Sequence, residues 1–524
     1  MKGKINEFKN SFLGTKDTLL LFIKSNKAAL VIMISVILLG YGSKVFLYTN
    51  QFDTIIMQER YLANLKWWAG IGRFSLVIMK LIFENGFLNS TYSNFLAIIA
   101  WAAAISIWGA FLFSKMDNLG KKIESITFVI FCVLFATTPI MAEQFSFTLQ
   151  NWEVMTGFSI VVAGIWCFLK YVESNNYFFL FGAGILTAWC IGLYQSFISI
   201  FVLGVLAKLL LEACINMNQR VTWRYVFTLI IKFIQSMILS LIFYFISNRI
   251  VIRIMSAQPE AYLSGNFKWF EQGVYQSIIE ILKYIKSLIW SNENYYSSYV
   301  YGFIFLAFLL FAFAYSNKIY NFLLRLAIIG SPFYFSVLFG GAVMYRIQIV
   351  LPLTVAICGA VLIYDMGKFC KRRILTVLGT AVLIIFGCRN SQILNQAFYT
   401  EYMQYNYDVN ICYDINNKIE KYAGNGLKKV AFIGRRNKKS ILQTGMFYEN
   451  IGSSLFQIDW AGDLNRSERI VYLMNTLGLD YQPPSGEEFW RAYEYCLSSN
   501  LESYPKEDCV GILDDIIVVK LDVN

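Results

Sequence analysis

The chain has 524 residues, 57% hydrophobic and only 15% charged, with 45 basic against 34 acidic side chains and a formal net charge of +11. Soluble domains carry about 25% charged residues, and 17% aromatics with only 7 Pro exclude a disordered or fibrous chain. Histidine is absent, which excludes Ser-His-Asp and Cys-His nucleophiles, His-ligated zinc and His proton relays.

The basic excess gathers between apolar runs, so it reads as membrane topology and not as a nucleic-acid surface. A cytoplasmic basic segment, 1–27, carries Lys2, Lys4, Lys9, Lys16, Lys24 and Lys27. Apolar stretches of about 17–25 residues are long enough to cross a bilayer as helices. Eleven are expected, over 28–48, 92–114, 125–142, 154–171, 177–194, 196–215, 225–247, 298–315, 323–342, 347–364 and 374–390. The first lacks a small-residue cleavage site and is expected to be a retained span.

Lys115, Lys121 and Lys122 follow the second span, Arg220 and Arg224 the sixth, Lys318 and Arg325 the eighth, and Lys368, Lys371, Arg372 and Arg373 the tenth. All fall on one side if the spans alternate, and the opposing loop 143–153 has neither Lys nor Arg. This predicts a multi-pass protein with its N-terminus in the cytoplasm and its C-terminus outside. Lys44, Lys208 and Lys232, within or near spans, are expected to snorkel to an interface. No repeat of 20–50 residues and no inverted repeat is visible.

The membrane domain, 28–390, is interrupted by two long outer loops, 49–91 and 248–297. Gly72–Phe87, broken by Lys80 and Glu84, and the aromatic, charged stretch Asn266–Trp290 suit helices lying in the interface. From about Ser391 the composition turns soluble, and Lys429–Ile433 and Ile516–Val519 read as buried strands of an outer α/β domain over 391–524. Its basic run Gly434–Lys439 is either a solvated turn or a contact for acidic polymer. Thus the fold class is an all-α polytopic membrane protein of about eleven transmembrane helices with a small extracytoplasmic α/β domain.

Ten cysteines form no disulfide framework: seven belong to membrane segments or their inner edges, and Cys412, Cys496 and Cys509 lie outside. A Cys496–Cys509 bridge and free thiols both stay open. No cysteine pair has metal-ligand spacing supported by further ligands, so no structural metal is expected.

Chemistry concentrates in the outer loops. Asp53 stands just past the first span, followed by Lys66-Trp67-Trp68 and Gly72-Arg73-Phe74. Such a set suits a sugar phosphate: Asp53 to accept a proton from a hydroxyl, Arg73 or Lys66 to hold phosphate, a Trp67 or Trp68 face to stack on a sugar ring. Interfacial Trp and Lys belts and a helix-capping Asp are the structural alternative. Glu143-Gln144 follows Pro139, and Asn151-Trp152-Glu153 opens the fourth span. A carboxylate at a span end is costly to bury, which makes Glu143 a second catalytic candidate and places Glu153 and Trp152 among sugar or acceptor contacts. Tyr194-Gln195 is a polar hairpin amid apolar sequence, and Arg346 is the lone basic residue of its short outer turn, a phosphate ligand by that reading.

With these residues in hand, the chain resembles the polytopic bacterial glucosyltransferases that modify O-antigens and wall polymers, the type II serotype-converting family. The resemblance rests on the Lys-rich N-terminus and first span, the Asp53 loop, Trp67-Trp68…Gly72-Arg73-Phe74, Glu143…Asn151-Trp152 and Tyr194-Gln195, and spans roughly 28–390. The family typically carries two adjacent acidic residues in the first outer loop; here Asp53 is followed by Thr54, which leaves Asp53 as the single candidate. The resemblance implies a GT-C-like enzyme of the bacterial plasma membrane. It would move a sugar, usually glucose, from a polyprenyl-phosphate donor to a cell-surface glycan outside the cell, with Asp53 as base and Arg73 and Arg346 on the departing phosphate. No cofactor is expected; a divalent ion, Mg²⁺ or Mn²⁺, held by Asp53 with Glu143 or Glu153 is the less favoured alternative. Two other readings stand beside it: a flippase or transporter of lipid-linked sugars, and a glycan polymerase or ligase. Against the first, charged features gather in loops and not at the membrane midplane; the second, acting on a pyrophosphate carrier, calls for more basic residues near the site.

Overall fold

A computed structural model describes residues 2–114, 121–215, 222–260, 267–292, 294–370, 372–424, 426–436, 451–458 and 462–522. Lys115, Arg220, Lys371 and Asn437, Lys438 and Lys439 of the basic run lie outside them.

The chain is mostly helical, because in an apolar solvent a helix satisfies all its own backbone groups. In order run α1 (Lys2–Ser25), α2 (Lys27–Phe46), α3 (Phe52–Glu59), α4 (Tyr61–Gly70), α5 (Phe74–Phe83), α6 (Ser90–Phe113), α7 (Lys121–Thr137), α8 (Met141–Ser146), α9 (Asn151–Ser174) and α10 (Tyr177–Leu193). Then follow α11 (Phe197–Ile215), α12 (Trp223–Met255), α13 (Val274–Ile289), α14 (Tyr299–Leu310), α15 (Lys318–Gly330), α16 (Tyr334–Phe339), α17 (Val350–Phe369) and α18 (Arg373–Ala423). Short polar residues mark several starts: the side chains of Asn89, Asn176, Thr222 and Ser298 cap α6, α10, α12 and α14.

Every one of the eleven apolar stretches holds a helix. Among the described residues, eight helical segments can cross a membrane by length and composition: α2, α6, α9, α11, α12, Lys318–Phe339 (α15 to α16), α17 and α18. The stretches at 125–142, 177–194 and 298–315 hold shorter apolar helices. The third stops at Thr137 because Pro139 cannot continue it; the chain restarts as α8, which carries Glu143. Loop 49–91 folds as α3, α4 and α5, and the amphipathic stretch in the other long loop as α13. Both present apolar residues outward: Leu62, Leu81, Ile82 and Phe83 in the first, Val274, Tyr275, Ile278 and Leu282 in the second.

At the centre stands α17, nine-tenths buried, packed against α7, α11, α14 and α18. Its Asp365 pairs with Arg325 at 2.8 Å and accepts from the Tyr315 hydroxyl at 2.5 Å, so a buried charge pair ties α15 to the core. Lys44 does not snorkel: it is buried and pairs with Glu401 of α18 at 2.6 Å. Lys208 is likewise buried, its ammonium donating to the Phe111 carbonyl at the end of α6. Lys232 donates to the Val172 carbonyl.

The boundary expected near residue 391 lies inside α18, which runs unbroken for 51 residues and carries the chain from the bundle into the C-terminal domain. There β1 (Lys429–Ile433), α19 (Asp463–Thr476), α20 (Gly486–Ser498), β2 (Val510–Leu513) and β3 (Ile516–Lys520) build one sheet in the order β1-β3-β2. β1 pairs parallel to β3, Lys429 opposite Ile516, and β2 antiparallel to it. Strand alternation sends Val430, Phe432, Ile517 and Val519 toward α18 and α19, and Ala431, Ile433, Ile516 and Val518 toward α20. Cys509 packs on the first face and Cys496 on the second, so no bridge joins them; all ten thiols are free. Arg436 is no solvated turn either: it is buried and donates to the Tyr407 hydroxyl at 2.9 Å.

Candidate active site

Five separate stretches of the chain meet around a cavity of about 200 Å³. Its polar lining is Asp53, Asn64, Arg73, Gln150, Tyr194, Arg346 and Arg469, with Trp67, Trp68 and Phe147 among the apolar walls.

The first wall is α3 to α5. Asp53 sits in the first turn of α3, where the exposed N–H groups favour a carboxylate. The chain bends at Arg60 and again between α4 and α5 at Gly72, whose φ is +90°. A Cβ there would lie 2.0 Å from the Tyr244 hydroxyl, so glycine alone fits this corner. The corner brings Trp67, Trp68 and Arg73 to the same cavity as Asp53.

Polar contacts among the other loops fix the remaining walls. Arg73 donates from Nη1 to Gln150 Oε1 at 2.5 Å and lies 5.0 Å from the Tyr194 ring centroid. The Arg346 guanidinium stacks 5.1 Å from the Phe147 ring, and its carbonyl accepts from Gln144 Nε2 at 2.7 Å and from the Tyr194 hydroxyl at 3.4 Å. The turn carrying Gln150 is anchored in turn by Asn94, whose Oδ1 accepts from Thr148 and Asn151.

Arg469 of α19 closes the cavity, its Nη2 3.5 Å from Asp53 Oδ1. Burial pulls the guanidinium below its ordinary pKa, and the Asp53 charge opposes that shift. Three arginines therefore face one carboxylate, an excess of two positive charges by residue count. Guanidinium groups hold phosphate oxygens in pairs, so the cavity is chemically matched to an anion beside a hydrogen-bonding ligand.

Of the eleven residues predicted for the site, Asp53, Trp67, Trp68, Arg73, Tyr194 and Arg346 line this cavity. Five do not. Lys66 is exposed on α4. Gln195 donates to the Ile71 carbonyl at 3.1 Å and so braces the Gly72 corner. Trp152 is buried edge-on against Phe83. Glu153 is the buried partner of Lys80, at 2.7 Å, and the same ammonium pairs with Glu84 at 2.5 Å. Glu143 is fully buried and accepts from the Tyr296 hydroxyl. Among the described residues no three acidic or thiol side chains cluster as metal ligands.

Asn64, Gln150 and Arg469 are the polar lining residues that sequence reasoning missed. Gln150 adjoins the Asn151-Trp152 pair that drew attention, whereas Arg469 lies in a soluble-looking helix with no motif around it.

The family model for the glucosyl transferase GtrII matches residues 42–364. No curated protein matches the chain. The matched segment holds Asp53, Trp67, Trp68, Arg73, Gln150, Tyr194 and Arg346, and ends before α19 and Arg469. The chain belongs to the GtrII glucosyl transferase family, in agreement with the resemblance drawn from its loops.

Proposed function

We propose that this glycosyltransferase moves glucose from a polyprenyl-phosphate donor to a hydroxyl of a cell-surface glycan, at the outer face of the bacterial plasma membrane and within a GT-C-like architecture. The observation that carries this reading is the cavity in which Arg73, Arg346 and Arg469 surround Asp53.

In this reading the donor brings its own leaving group, so the protein's work is to stabilise charge and to place a base. The three guanidinium groups offset the negative charge that grows on the phosphate as its bond to the anomeric carbon breaks. Asp53 takes the proton of the acceptor hydroxyl while that oxygen attacks the anomeric carbon from the opposite side. The bond from carbon to the acceptor oxygen forms, the bond to phosphate oxygen breaks, and polyprenyl phosphate leaves. A positioned base contributes about 10²–10⁴-fold. Arg469 beside Asp53 holds the carboxylate at the cavity. Trp67 and Trp68 supply flat apolar faces for the sugar ring. Leu81, Ile82 and Phe83, exposed on α5, supply the apolar surface along which a polyprenyl tail approaches.

An attack of this kind, with no covalent enzyme intermediate, inverts the anomeric centre. The test is NMR of the product made from a donor of known anomer. Inverted product supports the single displacement, and retained product overturns it.

A further inference from the structure

Beside the first cavity lies a second, of about 380 Å³, between the segment joining α13 to α14 and the middle of α18. Asn292, Asn294 and Tyr295 line it from the segment, and Asn390, Gln392 and Gln396 from the helix. Nothing in the glycosyl-transfer scheme above uses these groups.

Their chemistry is specific. Side-chain amides donate and accept together, which matches sugar hydroxyls, whereas a phosphate asks for donors alone. Among the described residues of the lining Arg389 is the one cation, against five amides. Asn390 is 98% buried, and its Nδ2 has no hydrogen-bond partner among the described residues. An unsatisfied buried donor is costly unless a ligand or water fills it. Asn294 spends its Oδ1 on the N–H groups of Tyr296 and Ser297, at 2.9 and 3.0 Å, which fixes the turn that presents Asn292 and Tyr295.

A hydroxyl relay leads from this cavity to Glu143. Tyr295 donates to the Tyr296 hydroxyl at 2.7 Å, and Tyr296 donates to Glu143. The next residue, Gln144, holds the Arg346 carbonyl, and the Tyr296 ring packs 5.2 Å from Tyr345, the neighbour of Arg346. Glu143 lines neither cavity and is joined to the Arg346 backbone through its neighbour Gln144.

We infer that the second cavity is an acceptor subsite, binding neutral sugar units of the glycan beyond the one that reacts. The inference rests on the reading of the enzyme as a glycosyltransferase to a surface glycan. Contacts to remote units are how an enzyme secures and orients a long substrate without touching its reacting atoms.

The test uses the full chain in nanodiscs and, as probe, surface polysaccharide isolated from cells lacking this enzyme. Gln392→Ala/Gln396→Ala is compared with the wild type for acceptor KM, for donor KM, and for the thermal protection given by the polysaccharide alone. The expected result is an acceptor KM raised about tenfold or more relative to donor KM, with protection lost. The same rise in acceptor KM without change in melting of the unliganded variant separates binding from misfolding. Equal acceptor KM and equal protection in variant and wild type would overturn the subsite. So would a rise in donor KM alone, shared by Arg389→Ala, which would make the cavity a seat for the carrier-lipid phosphate. If the wild type turns over no donor, the transferase reading fails by itself, and the protection experiment still decides whether sugar binds here.

Discussion

Arg469 and Asp53 stand 416 residues apart in the chain, yet their side chains meet at 3.5 Å. The contact exists because α3 docks on the C-terminal domain: Phe52 and Ile55 share one apolar cluster with Ile470, Val471 and Leu473 of α19 and with Ile411 and Ile415 of α18. A domain outside the family-matched segment thereby supplies one of the three cations of the cavity.

In the proposed scheme that arrangement places Arg469 in the transfer machinery. Arg469→Ala is expected to lower kcat/KM for the donor by roughly 10–150-fold, the equivalent of one charged hydrogen bond of about 1.5–3 kcal/mol. Arg469→Lys keeps the charge without the planar fork and is expected to fall between the two. Steady-state kinetics at fixed acceptor check this; an alanine variant within twofold of wild type would remove Arg469 from the account.

The buried triad of Lys80, Glu84 and Glu153 is structural. Lys80→Met strands two buried carboxylates and is expected to cost about 3–5 kcal/mol of stability, seen as a lowered melting temperature. Adding Glu153→Gln to Lys80→Met is expected to recover part of that loss. No shift in melting for Lys80→Met would contradict the assignment.

In the proposed scheme, charge compensation by three arginines leaves no task for a divalent ion on a donor with a single phosphate. Turnover is therefore expected to survive EDTA undiminished. Activity that vanishes in chelator and returns with Mg²⁺ or Mn²⁺ would show that Asp53 serves as a ligand and not as the base.

How much of this was legible in the sequence follows from distance along the chain. A run of about twenty apolar residues has one stable solution in lipid, so the helices were readable even where their ends were not. Asp53, Trp67, Trp68 and Arg73 were readable because they lie within one loop. Glu153 and Glu143 read as costly carboxylates, but Lys80 and Tyr296 sit in other loops, and only the fold reveals that Lys80 pairs with the one and Tyr296 donates to the other. The boundary at 391 marked a true change in composition, but no Pro, and no Gly after Gly387, interrupts α18, so the helix crosses it. Arg469 carried no local signal at all, since its significance comes from a partner four-fifths of the chain away.

The central claim, that Asp53 acts as base in a lipid-donor glycosyl transfer, is tested most directly with purified protein in nanodiscs. Polyprenyl-phosphate-glucose is the donor and surface polysaccharide from cells lacking the enzyme the acceptor, with wild type and Asp53→Asn side by side. The account predicts glucose transfer by the wild type, and in Asp53→Asn a kcat lower by about 10²–10⁴-fold with donor still bound. Transfer by Asp53→Asn at the wild-type rate, or movement of donor across the bilayer without any transfer by the wild type, would contradict it.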